Sequence, residues 1–365
     1  MHLTIKNRFA MLPKKALKNT IVFGKKNYET LNNILHEKGY SKVFVLCDEN
    51  SHTLCLPILL QELSQDLKPQ IIEVESGEDN KDIATCQQLW DTLSDLGGDR
   101  KSVLINLGGG IVTDMGGFVA STFLRGIDFF NIPTTLLGMV DAAIGGKTGV
   151  NRHHIKNQIG VFSRAELTLV DTHYLSTLPQ NQMRSGLAEM LKHGLIIDAE
   201  YWRTLSDLSQ LKAEDLEDLV QKSMAIKDDV TTKDNREQGL RKILNYGHTL
   251  GHAIESYCLE AERKTSLLHG EAIAIGMILE AYLSVQIAGL SQAEYDEIKT
   301  VILNTFPKVE FSEADIEAIL KLMIFDKKNE KGHINFVLLK KIGAAQINCE
   351  VPEELIFKAF EYYHR

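Results

Sequence analysis

The first half of the chain alternates between short apolar runs and helical patterns. KVFVLCDEN, from Lys42, is a β-rich run that closes in polar residues, and PQIIEVESGE from Pro69, SVLINLGGG from Ser102 and DFFNIPTT from Asp128 repeat the design. Between them, IATCQQLWDTLSDLG and MGGFVASTFLRG place apolar residues at helical spacing. Strands alternating with helices predict a parallel sheet with crossover helices. Ligands bind such sheets beyond the carboxyl ends of the strands, and each of these runs ends in the small or polar residues that rule needs.

The pattern changes near Leu178-Pro179. RSGLAEMLKHGLII, LEDLVQKSMAIKDDVTTKD, ILNYGHTLGHAIESY and ADIEAILKLMIF all have helical periodicity, and a late pair of β-like runs, INFVLLKKIG and AAQINCEV, interrupts them. The predicted architecture is an α/β, Rossmann-like domain over residues 1–178, followed by a mostly α-helical domain over residues 179–365. The longest apolar run, AIAIGMILEAYLSVQIAGL from Ala272, holds Glu280, Ser284 and Gln286 and reads as a buried helix, not a membrane span. No internal repeat or low-complexity segment is visible.

Length agrees with two domains, since 365 residues is long for a single core. The 44% hydrophobic and 24% charged composition is that of a soluble globular chain. A net charge of -9 works against nucleic acid or an anionic membrane as partner. Cations that bind an anionic substrate must then be concentrated locally. Cys47, Cys55, Cys86, Cys258 and Cys349 are scattered, odd in number and form no CxxC, which points to reduced thiols in a cytoplasmic protein. The basic N-terminus, MHLTIKNRFAMLPKKALKN, lacks a continuous apolar core and is not expected to be a secretory signal.

Five stretches carry candidate chemistry. LGGGIVTD follows a strand and opens a helix, so its glycines admit close backbone approach and the helix N-terminus offers N–H groups to a phosphate. It is not the GxGxxG fingerprint, and a plain tight turn fits it equally well. TTLLGMVDAAIGGKTGVNRHHIKNQIG, from Thr134, sets Lys147, Lys156 and Asn157 among glycines, with Arg125 before Gly126 upstream. Loops grip phosphate oxygens through that combination of backbone N–H and charge. In SGLAEMLKHG, Glu189 and Lys192 share a helix face at i and i+3, as a surface pair or, given apolar flanks, a buried one.

NYGHTLGHAIE holds His248 and His252 one helical turn apart. HxxxH spacing alone fits two polar residues on a packed helix, and the zinc-protease version needs Glu where Thr249 stands. TSLLHGEAIAIG adds His269 at a helix opening. Glu189, His248 and His269 together make two imidazoles and a carboxylate, a catalytic zinc set with an open position.

Taken together, the chain resembles the 3-dehydroquinate synthase family over nearly its whole length. The motifs are SGEDNK, LGGGIVTDMGGFVAS, FLRG, IPTTLLGMVDAAIGGKTGVN, IKNQIG, GLAEMLKHG, REQGLRKILNYGHTLGHAIE, LLHGEAIAIGM and DKKN near residue 326. The resemblance implies two domains with the active site in the cleft between them, bound NAD, and zinc or cobalt on Glu189, His248 and His269. It gives NAD contacts to Asp48, Asn50, Glu78, Lys81, Gly109, Gly110, Ile111, Asp114, Thr134, Thr135 and Thr177. A substrate phosphate falls to Arg125, Lys147, Lys156, Asn157 and the Lys327-Lys328 pair. The substrate carboxylate and hydroxyls fall to Lys192, Lys227, Glu237, Arg241, Asn245 and His252, with Asp141 between cofactor and substrate. The chain departs from the family at Ala142-Ala143, where many members carry serine, and at Asn181-Gln182, where Arg-Glu is usual.

The implied reaction converts 3-deoxy-D-arabino-heptulosonate 7-phosphate to 3-dehydroquinate and phosphate, in aromatic amino acid biosynthesis. Transient oxidation by NAD, β-elimination of phosphate, re-reduction, ring opening and aldol closure follow in turn. The family suggests a homodimer. The competing readings are a metal- and NAD-dependent alcohol or polyol dehydrogenase, another sugar-phosphate cyclase, or a non-catalytic binding protein. A dehydrogenase would not need the phosphate cations.

Overall fold

The computed structural model describes residues 21–152, 155–207, 215–260, 267–323 and 334–365. The chain opens with β1 (Ile21–Phe23), α1 (Tyr28–Lys38), β2 (Val43–Asp48), α2 (Glu49–Leu54), α3 (Leu56–Glu62), β3 (Gln70–Val74) and α4 (Ile83–Asp95). It continues through β4 (Val103–Gly108), α5 (Gly110–Thr122), β5 (Asp128–Pro133), β6 (Lys147–Arg152), β7 (Ile155–Phe162) and β8 (Leu167–Val170). Six of these strands form one sheet in the order β1-β8-β5-β4-β2-β3. Every pairing in it is parallel.

Side-chain alternation along the strands divides the core between the two faces of this sheet. Val43, Val45, Val103, Ile105, Phe130 and Ile132 join one apolar cluster, with α1 and α3. Phe44, Leu46, Leu104 and Phe129 join another, beneath α4 and α5. The first cluster runs on past residue 178 into the helical half without a break. What changes there is the architecture, from sheet to helices.

The glycine- and lysine-rich stretch expected as a loop takes two other forms. Residues Gly138–Ala142 make a π-helical turn, a rare geometry that recurs at functional sites. Lys147 to Phe162 fold into an antiparallel ribbon, β6 against β7, with Lys147 opposite Phe162 and Gly149 opposite Gly160. The ribbon packs along α5.

The second half consists of α6 (Gln180–Ile197), α7 (Ala199–Ser206), α8 (Leu216–Lys233), α9 (His248–Glu260), α10 (His269–Ile287), α11 (Gln292–Thr305) and α12 (Glu313–Met323). The β9 (Asn335–Lys341) and β10 (Ala344–Glu350) hairpin and α13 (Glu353–His364) complete it. α10 is long and apolar enough to cross a membrane by length and composition, yet 83% of that window is buried inside the protein. It packs against α6, α9, α11, α13 and β9.

Two glycines let α10 approach its neighbours backbone to backbone. A Cβ on Gly276 would stand 2.0 Å from the carbonyl oxygen of Gly247 and 2.8 Å from the nitrogen of Gly251, at the α9 crossing. A Cβ on Gly270 would stand 2.0 Å from the Ser185 carbonyl oxygen on α6. Gly276→Ala should therefore separate α9 from α10 and cost about 1–3 kcal/mol or more, the usual range for overpacking a core. Urea unfolding monitored by circular dichroism reads this directly. An unchanged midpoint would mean that the two helices part at no cost.

Candidate active site

The carboxyl ends of β2, β4 and β5 form the first part of the site. β2 pairs with β3 on one side and β4 on the other, so the chain reverses direction across the sheet there, and a crevice opens between strand ends. Asp48 ends β2 and caps α2, its Oδ1 accepting from the Ser51 backbone N–H at 2.7 Å. Asn50 follows, exposed on α2. Gly109 caps α5 without a side-chain hydrogen bond, so the α5 N-terminus, with Gly110 and Ile111, points its N–H groups into the crevice. Thr134 and Thr135 follow the end of β5. Thr177 and Thr134 both reach the thiol of buried Cys55, which brings Thr177 to the same edge.

Lys81 ties this edge to the ribbon. Its Nζ donates to Asp114 on α5 and to Asn157 Oδ1 on β7, each at 2.7 Å. Burial alone would lower the Lys81 ammonium, but Asp114 and Glu78 outweigh it and keep the group charged. Asn151 completes the junction by accepting from the Asn157 N–H and donating to Glu78, both at 2.8 Å. Glu78 stays below the usual carboxylate range despite burial, because Lys81 and Lys156 stand nearby.

The second part lies among α6, α9 and α10. Glu189 on α6 is fully buried. His248 Nε2, on the first residue of α9, stands 3.4 Å from Glu189 Oε1, and His269 Nε2, on the first residue of α10, stands 3.7 Å from the same oxygen. The other ring nitrogens are engaged: His248 Nδ1 lies 3.0 Å from the Tyr246 carbonyl oxygen, and His269 Nδ1 lies 3.3 Å from Glu255 Oε2. Nδ1 must carry a proton to donate to those acceptors, which leaves Nε2 of both rings facing Glu189. Beyond its ion pair with Lys192, neither oxygen of Glu189 has a well-formed hydrogen bond among the described residues. A buried carboxylate facing two imidazole Nε2 atoms, each free to give up its proton to a metal ion, fits a divalent cation of the zinc class. His252 brings a third ring, centred 5.1 Å from His248 and 5.7 Å from His269, so a three-histidine cluster is also present.

Glu280 fixes where α9 begins. This fully buried carboxylate in the apolar run accepts from the Gly247 N–H at 2.6 Å and the Leu250 N–H at 3.2 Å. An anion at a helix N-terminus is stabilised by the helix dipole, and this one brackets His248.

Between the two parts lies a cleft of about 420 Å³ lined by Asp114, Asp141, Lys147, Asn157, Lys227 and Arg241 among others. Asp141 projects from the π-turn and pairs with Lys227 of α8. Burial alone would raise the Asp141 carboxyl, but Lys227 and Lys192 hold it well below its usual value. Lys147 pairs with Glu237, and Asn245 Nδ2 donates to the other oxygen of Glu237 at 2.5 Å. Arg241 is buried, with Nη1 donating to the carbonyls of Gly145 at 3.0 Å and Asn235 at 3.1 Å. Asp234 shapes this turn by accepting from the N–H groups of Gln238, Gly239 and Arg241, while Glu237 takes a left-handed φ of 58°.

Most expected site residues thus meet, with two exceptions. Arg125 stands apart. α5 leaves the carboxyl end of β4 and returns to the start of β5, so the turn holding Arg125 is at the opposite edge of the sheet, and the side chain is exposed there. It cannot share a phosphate with Lys147 and Lys156 of its own chain. Lys327 and Lys328 lie outside the described residues. The Glu189–Lys192 pair is buried, not a surface pair. Sequence reasoning gave no role to Glu255, Glu280, Asn151 or Asp234. Glu255 had a signal, because it follows His252 by three residues and His248 by seven on one helix face.

Comparison with known proteins places this geometry. The family model described as 3-dehydroquinate synthase N-terminal matches residues 71–185, and the one described as 3-dehydroquinate synthase C-terminal matches residues 186–329. A 3-dehydroquinate synthase of Parabacteroides distasonis is 41% identical over 335 residues, covering 91% of this chain and 94% of the relative. Among solved structures, 2-epi-5-epi-valiolone synthase from Streptomyces hygroscopicus, with NAD+ and Zn2+ bound, superposes with a TM-score of 0.83 at 26% identity, covering 96% of this chain and 98% of that one. A 2-deoxy-scyllo-inosose synthase complexed with carbaglucose-6-phosphate, NAD+ and Co2+ shares the fold, with a TM-score of 0.81 at 23% identity over 94% of this chain and 96% of that one.

The metal-free site carries a pH signature. Burial alone would lower the His269 imidazole, but Glu255 and Glu189 outweigh it and raise the group from 6.5 to about 10. A raised group stabilises the fold fully below its unfolded value and loses that contribution as pH rises through the folded one. Chelator-treated protein should therefore lose stability between pH 7 and 10 more steeply than His269→Gln does. Denaturant midpoints across that range check this, and parallel slopes would refute it.

Proposed function

The chain belongs to the 3-dehydroquinate synthase family, and from that membership we infer that it converts 3-deoxy-D-arabino-heptulosonate 7-phosphate to 3-dehydroquinate and inorganic phosphate. The observation that carries the reading into chemistry is the convergence of Lys147, Lys227, Arg241 and Asn157 on one cleft beside the Glu189–His248–His269 set. A substrate with phosphate at one end and carboxylate at the other needs such a cluster, and an acidic protein supplies it only by local concentration. NAD is the cofactor, with a zinc or cobalt ion on Glu189, His248 and His269. When bound, they supply reversible hydride transfer and Lewis-acid polarisation of the substrate hydroxyl.

The remaining chemistry belongs to side chains. We assign the NAD-binding part to residues 1–178 and the metal- and substrate-binding part to 179–365. The α5 N-terminus and Gly109 to Ile111 receive the cofactor phosphates, with Asp48, Asn50, Glu78, Lys81, Asp114, Thr134, Thr135 and Thr177 around them. Lys147, Lys156 and Asn157 orient the substrate phosphate for departure. Lys192, Lys227, Glu237, Arg241, Asn245 and His252 hold the carboxylate and hydroxyls, and Asp141 stands between cofactor and substrate. Fixed charges that need no reorganisation are how such a site lowers a barrier. We take the protein as cytoplasmic, in keeping with cysteines that form no disulfide, and as a homodimer, in keeping with the adjacent exposed apolar side chains Val161 and Phe162 on β7.

Phosphate release from 3-deoxy-D-arabino-heptulosonate 7-phosphate with NAD tests the reading. Release without accumulating NADH, abolished by a chelator and restored by zinc, is expected. Steady NADH from simple alcohols with no phosphate release would instead establish a dehydrogenase. Lys147→Ala should lower turnover on the order of 100-fold or more, the scale of a lost transition-state contact, while NAD affinity stays within about twofold. Equal loss of both would remove Lys147 from the phosphate site.

A further inference from the structure

Glu255 occupies a position that the reaction scheme above does not use. It lies on α9 with 3% of its surface exposed. Oε2 is 3.3 Å from His269 Nδ1, and Oε1 is 2.8 Å from Lys156 Nζ. One buried carboxylate thus joins a metal-ligand histidine on α10 to a phosphate-site lysine on β7. Two other groups border the junction: Glu78, 4.0 Å from Lys156 Nζ, and the ring of His252.

We propose that Glu255 couples the metal site to the anion site, so that an anion held by Lys156 tightens the metal ion, and the metal ion tightens the anion. This rests on the ligand set assigned under Proposed function. A histidine that binds metal through Nε2 becomes a better ligand when Nδ1–H donates to a carboxylate. In the structure that carboxylate is shared, and the Lys156 ammonium offsets part of its field at His269. A phosphate oxygen on Lys156 takes over the ammonium as partner. Glu255 is then left to His269, and the Nε2 lone pair strengthens. Linkage makes the effect reciprocal. Direct attraction between phosphate and metal would also couple the two, but that route does not require Glu255.

The full chain with NAD, titrated with zinc against a fluorescent chelator with and without inorganic phosphate, measures the coupling. Phosphate should tighten zinc binding by about 5-fold or more, the lower end of ordinary site-to-site coupling. In Glu255→Gln, zinc binding should weaken on the order of 10-fold, as for other outer partners of metal ligands. Phosphate binding to the zinc-free variant should become tighter, because Lys156 is released, and the phosphate effect on zinc should vanish. A merely structural role for Glu255 would weaken both ligands together and overturn the proposal. Lys156→Gln supplies an independent arm: zinc should bind more tightly than to the wild type, with no phosphate response, and weaker zinc binding would overturn the coupling. Wild-type zinc binding that ignores phosphate, or a response that Glu255→Gln retains, sinks the coupling and leaves the ligand set intact. No zinc binding by the wild type would sink both.

Discussion

The site depends on how closely three helices approach. Glu189, His248 and His269 come from α6, α9 and α10, and their donor atoms are brought together where α10 meets both neighbours backbone to backbone, at Gly276 and Gly270. At Gly276 the α10 backbone lies against the carbonyl of Gly247, the residue before α9, and at Gly270 it lies against α6 at Ser185, whose Oγ also accepts the Gly270 N–H at 3.0 Å. Glu280 then pins the first turn of α9 from within α10. The two helices that carry imidazoles on their first residues are thus fixed by backbone contacts, which are stiffer than side-chain packing.

Charge organises the remainder. Lys81 pairs with Asp114, Lys147 with Glu237, Lys156 with Glu255, Lys192 with Glu189 and Lys227 with Asp141. Each of these lysines has a carboxylate beside it. Burying a charge alone is costly, so for the buried Lys81, Lys192 and Lys227 a paired carboxylate offsets that cost and fixes the side chain. A dianion bound at the proposed site would exchange one set of ion pairs for another and would not have to order loose side chains.

The strands at Val43, Gln70, Val103 and Asp128 were legible as short apolar runs, and the helices that carry the site as longer apolar runs or helical periods. Lys147 to Phe162 looked like a loop, since glycine and polar residues are poor strand formers and the ribbon is held by neighbours, not by propensity. Helical patterning at ILNYGHTLGH predicted a helix from the isoleucine, whereas Leu240–Asn245 is a separate 3-10 turn and α9 starts only at His248. Gly247, with a φ of 79°, breaks the run. Arg125 was placed with the phosphate lysines because linear proximity says nothing about which edge of a sheet a turn occupies. Glu280 was visible as the single charge in an apolar run, but its partners are backbone N–H groups, which have no residue type to recognise.

The β6–β7 ribbon has a consequence for how this protein can diverge. Lys147 sits at one end of it, while Asn151, Lys156 and Asn157 sit toward the other, so the ribbon acts as a gauge that sets their spacing across the cleft. In a two-stranded ribbon, inserting or deleting one residue turns every side chain beyond it to the opposite face. Exposed side chains along β6 and β7 can be exchanged one at a time, though not the facing glycines Gly149 and Gly160, while the length of either strand cannot drift without scrambling which groups face the cleft. Innovation in this region is therefore confined to residue identity, and insertions must be accommodated elsewhere in the chain.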